Sequence, residues 1–348
     1  MTTTTTTGSS TTSVLPGTTT APSTGTESWT GSSDDSSAAS STDTTTFDAG
    51  DLPDVGILPE GCKTKKIDIL FLVGQSEFMA PHYGKLVKSL PSFVEVLENQ
   101  LSEFDPHILV PRRRNTWGAP VSCPIGQETC PEDGGCAELD EPNYPCWALY
   151  TPGAVTPCDR TVGAGVVFTA GKEASNKPCE LVDDRRYIHA EEPDILEAFM
   201  CVASEGHSVG VDGEGWAAGR AVSPELAGPG GCNEGFLRDD ALLLLVMVSL
   251  GTDSGSPYNP YVWANTILDA KGGEQDAIFA LGIFADNDTP DPICDWPWNG
   301  GQRQLRSMLL NFEHVLFGSL CESSTAYESH YASTAEVILD VCGGPIPK

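Results

Sequence analysis

Two segments of the chain contain side chains whose types and spacing could support catalysis or metal binding. In the first, residues 251–256 read Gly-Thr-Asp-Ser-Gly-Ser, and Ser254 could serve as a nucleophile. Nucleophilic catalysis needs a base beside the hydroxyl, for which His82, His107 or His207 would be the candidates. This segment does not match the Gly-x-Ser-x-Gly turn of α/β-hydrolases, however, because Thr252 stands two residues before Ser254. The pattern favours a plain loop and leaves a serine hydrolase as an alternative.

The second segment, residues 286–291, reads Asp-Asn-Asp-Thr-Pro-Asp directly after an apolar run. Carboxylates at alternate positions suit Ca²⁺, but the central glycine and terminal glutamate of an EF-hand loop are missing. Asp, Asn and Pro are also typical of a solvated turn, which we predict here. A rearranged Mg²⁺ or Ca²⁺ site formed by Asp212, Asp253 and Asp286 is the alternative.

Other signatures of catalysis or cofactor binding are absent from the sequence. There is no phosphate-binding Gly-x-x-x-x-Gly-Lys loop, no Gly-x-Gly-x-x-Gly after a strand and no HExxH. His189, beside Glu191 and Glu192, is interpreted as a surface histidine. The basic runs 112–114 and 185–186 are expected to pair with local acids or to flank an insertion. The alternative is that they bind an acidic partner. We predict no catalytic residue, no metal and no cofactor.

The charge balance excludes two classes of partner. The chain has 49 acidic against 19 basic residues, a formal net charge of −30. Nucleic acids and anionic membrane surfaces both attract basic patches, so neither is expected to bind. The longest apolar run, residues 241–248, is far shorter than the roughly 20 residues that span a bilayer. We therefore predict no transmembrane segment.

Composition divides the chain into a linker and a globular domain. Residues 1–61 are rich in Thr, Ser and Gly, contain no Lys or Arg, and carry eight acidic side chains. Such a segment buries too little apolar surface to offset its ordering entropy, so we predict a disordered acidic linker. It would tether the domain at 62–345; a cytosolic tail without a partner is the alternative.

Twelve cysteines indicate where the protein resides. Six of them fall in a loop-rich stretch, about 111–184, which we interpret as a disulfide-stapled insertion. No cysteine has zinc-site spacing, and disulfides predict a cell-envelope or extracellular location. Because no signal peptide follows Met1, we expect the true start upstream, where a lipoprotein anchor cysteine would fit.

Apolar runs alternate with segments of helical spacing from Lys65 onward. Such alternation predicts an α/β fold with a doubly wound, mostly parallel sheet and helices on both faces. In this fold ligands bind at the carboxyl ends of the strands, here after Val73, Val248 and Ala285. Pro91 predicts a kink or a fresh helix start. The predicted strands are 67–73, 107–110, 242–249, 277–285 and 315–320, and the helices are 86–101, 194–203, 261–271, 302–312 and 327–341.

Two further pairs of residues are singled out by their positions. Cys321 ends a predicted edge strand and Cys342 ends the last predicted helix, so we predict a disulfide between them. Trp296 and Trp298 flank a proline in a loop near the strand ends. Such a pair could anchor a protein partner or stack on a glycan, or it could cap the core.

Several stretches resemble a known family. Residues 66–73 read Lys-Ile-Asp-Ile-Leu-Phe-Leu-Val and are followed by a polar turn and Met79. Residues 231–243, Gly-Cys-Asn-Glu-Gly-Phe-Leu-Arg-Asp-Asp-Ala-Leu-Leu, are the most specific piece. The chain is similar in these stretches to von Willebrand factor A-like domains of the secreted or lipid-anchored type abundant in myxobacteria. The resemblance covers roughly residues 66–345.

The resemblance implies a metal-ion-dependent adhesion site, in which an Asp-x-Ser-x-Ser loop, a Thr and a further Asp hold Mg²⁺ through oxygen ligands. In this sequence Gly74 stands where the first Asp belongs, Ser76 matches the first Ser, and Phe78 replaces the second. Val211 falls near the Thr position, and Leu250 stands in place of the later acid. The expected metal site is therefore degenerate.

The sequence as a whole predicts a non-catalytic interaction or adhesion module of the cell envelope or the exterior. Its partner would be a protein or a surface glycan, bound without a metal because the metal ligands are replaced. The alternatives are a metal-dependent adhesin with rearranged ligands and, less favoured, the serine hydrolase.

Overall fold

The computed structural model describes residues 59–113, 148, 152–170, 174–204, 213–253, 255–294 and 303–343. The predicted linker before residue 59 lies outside them, and so do four cysteines of the predicted insertion. The strands are β1 (Lys66–Val73), β2 (Asp105–Leu109), β3 (Ile188–His189), β4 (Leu242–Ser249), β5 (Ile278–Phe284) and β6 (His314–Ser319). The helices are α1 (Glu60–Thr64), α2 (Ala80–Asn99), α3 (Ile195–Ala203), α4 (Glu214–Ala221), α5 (Pro224–Ala227), α6 (Pro260–Ala270), α7 (Arg303–Leu309) and α8 (Ser324–Val341).

The six strands form one sheet in the order β3-β2-β1-β4-β5-β6. All neighbours are parallel except β3, which runs antiparallel to β2 at the edge. This confirms the predicted doubly wound, mostly parallel sheet. The strand order reverses between β1 and β4, and the crevice beside such a switch point is where α/β sheets bind ligands.

Successive side chains of β1 point to opposite faces of the sheet, and each face has its own apolar core. Ile67, Ile69 and Phe71 face α2, α3 and α8. The Phe71 ring lies edge-on to Phe93 of α2, at 5.1 Å between centroids, and to Phe199 of α3, at 4.9 Å. Edge-to-face contacts of this kind stabilise a core beyond simple burial.

The opposite face of the sheet is covered by α4, α6 and α7. Leu70 and Leu72 of β1 point to this side and share a core with Trp263 of α6. A Cβ placed on Gly215 of α4 would overlap the Trp263 ring, so glycine is required where the two helices meet. No described helix has the length and apolar character needed to cross a membrane.

Helix α2 continues through Pro91, where the sequence predicted a kink or a new start. Pro91 is exposed, on the side of α2 away from the sheet. Three short helices, α1, α4 and α5, were not predicted. Of these, α4 and α5 lie in a stretch rich in glycine and alanine, which lacks a clear apolar period.

Disulfides link distant parts of the chain, and the predicted Cys321–Cys342 bond is wrong. Cys321 lies just before α8 and Cys342 just after it, so a helix of 18 residues, about 27 Å long, separates them. The four disulfides of the described residues are Cys62–Cys342, Cys158–Cys232, Cys179–Cys201 and Cys294–Cys321.

Asn233 has a structural role within residues 231–243. Its side chain is fully buried and accepts a hydrogen bond from the backbone N–H of Gly165 at 2.8 Å. It also donates to the carbonyls of Gly163 and Ala221, at 2.8 and 3.0 Å. Asn233 thus joins residues 163–165 of the predicted insertion to the end of α4, and the Cys158–Cys232 disulfide joins the insertion to the same segment.

Candidate functional site

The loop after β1 begins with glycine where the family resemblance places the first aspartate. Gly74 is buried, and a Cβ there would lie 2.9 Å from Cγ of Met79 and 3.1 Å from Cα of Ser249. An aspartate at this position would therefore require Met79 to move. The Ser76 hydroxyl is buried and finds no hydrogen-bond partner among the described residues, whereas the Phe78 ring is 52% exposed.

A buried ion pair occupies the carboxyl end of the sheet instead. Arg113, four residues after β2, donates from Nη1 to Oε1 of Glu214 at 2.6 Å, and both side chains are almost wholly buried. Glu214 begins α4, and its Oε1 also accepts a hydrogen bond from the Ser249 hydroxyl at 3.2 Å. The Arg113 guanidinium group therefore supplies a positive charge beside the end of β4.

The segment after β4 is organised by hydrogen bonds within the protein. The Asp253 carboxylate accepts from the backbone N–H of Gly215 at 2.6 Å and of Ser256 at 3.0 Å. Leu250 is buried in the core and offers no oxygen ligand. Asp253 thus stabilises the start of α4. The sequence had left open a role for this residue as a metal ligand.

Residues bearing on the hydrolase alternative are only partly described. Ser254 and His207 lie outside the described residues, as do Val211 of the degenerate metal site and Asp212 of the alternative metal site. His107 lies in the amino-terminal half of the sheet, opposite Asp68 of β1 in the strand register, so it is at the far end from Asp253.

The acidic segment after β5 is a closed turn. Asp286 accepts backbone hydrogen bonds from Ile293 at 2.8 Å and from Cys294 at 2.9 Å, one on each carboxylate oxygen. These backbone bonds outweigh burial and lower the pKa of Asp286. Asp288 forms an ion pair with Arg306 at 3.0 Å. Two of the three carboxylates of the segment, those of Asp286 and Asp288, therefore have partners within the protein, although Oδ1 of Asp288 accepts no hydrogen bond from the described residues. Asp291 is exposed.

Large exposed apolar side chains concentrate at the carboxyl edge of the sheet. Six are exposed in the described residues, and five of them follow β1, β4 or β5. The Tyr258 ring, 67% exposed, contacts Trp216 of α4 at 5.3 Å between centroids, and Tyr261 is 63% exposed. The predicted pair Trp296 and Trp298 lies outside the described residues. We call Phe78, Tyr258, Tyr261, Val262 and Ile293 the edge cluster.

A charged network that the sequence did not reveal lies at the opposite end of the sheet. Asp68 of β1 is fully buried and accepts hydrogen bonds from the backbone N–H and Nε of Arg238, at 2.7 and 2.8 Å. Burial raises the pKa of Asp68 to about 6, against the opposing effects of Arg238 and Lys271. Asp68 interrupts an apolar strand, and this is the sequence signal that could have indicated a buried partner.

His107 completes this network from β2. Its Nδ1 donates to the carbonyl of Phe236 at 2.9 Å and lies 3.8 Å from Oδ1 of Asp68. Burial lowers the pKa of His107 to about 4, against the hydrogen bond to Phe236. Burial thus favours the neutral form of both side chains, raising the pKa of Asp68 and lowering that of His107.

Comparison with models of known protein families finds none that matches the chain, and comparison with curated proteins finds no similar sequence. What the protein does is therefore inferred from its own residues.

Proposed function

We propose that the protein is a non-catalytic protein-interaction module of a secreted or cell-envelope protein, similar to von Willebrand factor A-like domains. The observation that carries the proposal is the edge cluster. Solvent-exposed apolar side chains on neighbouring loops are typical of a partner-binding surface. Tyrosine side chains on such surfaces often contribute much of the binding energy. Four disulfides support an oxidising location.

Binding at this edge would not need a metal ion. A carboxylate at residue 74 would require Met79 to move, because a Cβ there would lie 2.9 Å from Cγ of Met79 and 3.1 Å from Cα of Ser249. The Arg113 guanidinium, which pairs with Glu214, would also repel a divalent cation beside β4. These two features support metal-independent binding, in contrast to the octahedral Mg²⁺ site that the family resemblance implies.

Thermal melting in EDTA, in millimolar Mg²⁺ and in millimolar Ca²⁺ tests metal independence. We expect the three melting temperatures to agree within about 1 °C, because a cation that binds only the folded state would raise stability by mass action. A rise of several degrees with either cation, relative to EDTA, would contradict the proposal.

Paired variants test the binding surface. We expect Tyr258→Ser combined with Tyr261→Ser to weaken capture of surface proteins at least tenfold in a crosslinking pull-down, because the variant removes two exposed anchors. Leu310→Ser is the matched control, since Leu310 is 61% exposed but lies after α7, at the other end of the sheet.

The comparison depends on proteins that the wild type captures and the double variant loses. Loss of the same proteins with Leu310→Ser would show that general surface hydrophobicity causes capture. Equal capture by wild type and double variant would also contradict a binding role for the edge cluster. Melting temperatures of all three proteins check that each remains folded.

A further inference from the structure

A group of possible metal ligands lies beside β3, at the amino-terminal end of the sheet. A ring nitrogen of His189 and one carboxylate oxygen each from Asp183 and Glu191 lie within 4.8 Å of one another. No other three His, Cys, Asp or Glu side chains in the described ranges meet this spacing. We call these three residues the His189 cluster.

The histidine of this cluster is buried, so its interpretation as a surface residue is wrong. His189 is only 4% exposed, and its Nε2 has no hydrogen-bond partner among the described residues. Its Nδ1 accepts only a long hydrogen bond, 3.4 Å, from the backbone N–H of Glu191. A buried imidazole nitrogen without a partner is costly. Coordination of a cation by Nε2 would satisfy it, with the ring proton moving to Nδ1 and the long hydrogen bond from Glu191 given up.

The backbone holds the three residues in place. His189 pairs with His107 across β3 and β2, which fixes the position of its Cα in the sheet. The Glu192 carboxylate accepts a hydrogen bond from the backbone N–H of Val182 at 3.2 Å. This bond joins the turn that carries Asp183 to the segment that carries Glu191.

The two carboxylates are free to close around an ion. Asp183 and Glu191 are exposed, and Asp183 makes only a solvent-exposed ion pair with Arg185 at 3.4 Å. Exposed pairs of this kind contribute little to stability. Ligands about 2.1 Å from a tetrahedral ion lie about 3.4 Å apart, so rotations of exposed side chains would bring the oxygens close enough.

We propose that Asp183, His189 and Glu191 bind a divalent transition-metal ion, with Zn²⁺ as the best fit. One imidazole nitrogen with two carboxylate oxygens suits Zn²⁺ or Mn²⁺, whereas Mg²⁺ and Ca²⁺ prefer oxygen ligands alone. Three protein ligands leave a coordination position for water. The site lies at the opposite end of the sheet from the edge cluster and is independent of partner binding there.

Calorimetric titration of Zn²⁺ into the full, tag-free chain after EDTA treatment, near neutral pH, tests the proposal. We expect one equivalent to bind with micromolar affinity, and Ca²⁺ to bind at least a hundredfold more weakly. Asp183→Asn combined with Glu191→Gln should weaken Zn²⁺ binding at least tenfold, and His189→Gln should do the same. The matched control is Asp269→Asn with Glu98→Gln, which removes the same two charges from exposed sites elsewhere.

Several outcomes would overturn the proposal. These are no heat of binding up to about 1 mM Zn²⁺, unchanged affinity in the Asp183/Glu191 variant, or equal weakening in the control. Ca²⁺ binding as tight as Zn²⁺ would also exclude an imidazole ligand. The carboxylate variant changes exposed residues only, so it keeps the test valid even if His189→Gln fails to fold.

Discussion

Replacing Arg113 with methionine is expected to lower the free energy of unfolding by about 3–5 kcal/mol. The substitution leaves the buried Glu214 carboxylate without the guanidinium that lies 2.6 Å away. A carboxylate in a dry interior is costly because water no longer solvates it. Urea denaturation monitored by tryptophan fluorescence measures the change through the transition midpoint and slope.

Two further variants separate the ion pair from general packing. Arg113→Met combined with Glu214→Leu removes both charges, and we expect it to recover a large part of the lost stability. Lys63→Met breaks the exposed pair with Glu60 and should change stability by less than about 1 kcal/mol. Stability of Arg113→Met within about 1 kcal/mol of wild type would show that Glu214 does not depend on this cation.

The second large effect is a pair of opposite pH dependences at Asp68 and His107. The pKa of Asp68 rises from 3.8 to about 6 on folding, so between these values the folded protein holds a proton that the unfolded chain has lost. The stability contributed by Asp68 is therefore complete below pH 3.8 and is lost as pH rises through about 6. The total is about 3 kcal/mol.

His107 gives stability the opposite pH dependence over nearly the same pH range. Its pKa falls from 6.5 to about 4 on folding, so the unfolded chain holds a proton that the folded protein has released. The stability contributed by His107 is present above pH 6.5 and is lost as pH falls through about 4, again by about 3 kcal/mol. In the wild type the two contributions largely cancel.

Single variants should reveal how the stability contributed by each residue depends on pH. Relative to wild type, Asp68→Asn should become more stable as pH rises from 4 to 6.5, because only the His107 contribution remains. His107→Gln should become less stable over the same range. Urea denaturation at several pH values measures both slopes, and each variant is the control for the other. Slopes equal to that of wild type in both variants would contradict the assigned pKa directions.

The sheet was predictable because its strands are chemically simple. β4 and β5 are continuous apolar runs buried on both faces, and the alternation of strands with helices indicated the parallel arrangement. β3 was missed because it has only two residues, Ile188 and His189, and its position depends on pairing with β2. No local pattern records such a tertiary contact.

The polar interior was much less predictable than the apolar core. Arg113 was expected to pair with a local acid or to flank the insertion, but its partner Glu214 lies 101 positions along the chain. The disulfide between Cys321 and Cys342 failed for a related reason, because the ends of elements do not reveal which ends meet. Long-range pairings of this kind depend on the whole topology.

The Cys62–Cys342 disulfide has a mechanical consequence. It joins α1, at the start of the described domain, to the residue that follows α8, 280 positions later. Tension applied between the chain before Pro59 and the chain after Gly343 would pass through this covalent bond. The hydrogen bonds of the sheet would carry almost none of that load. A domain on a tether can thus be pulled by its two ends while the sheet and its edge cluster keep their shape.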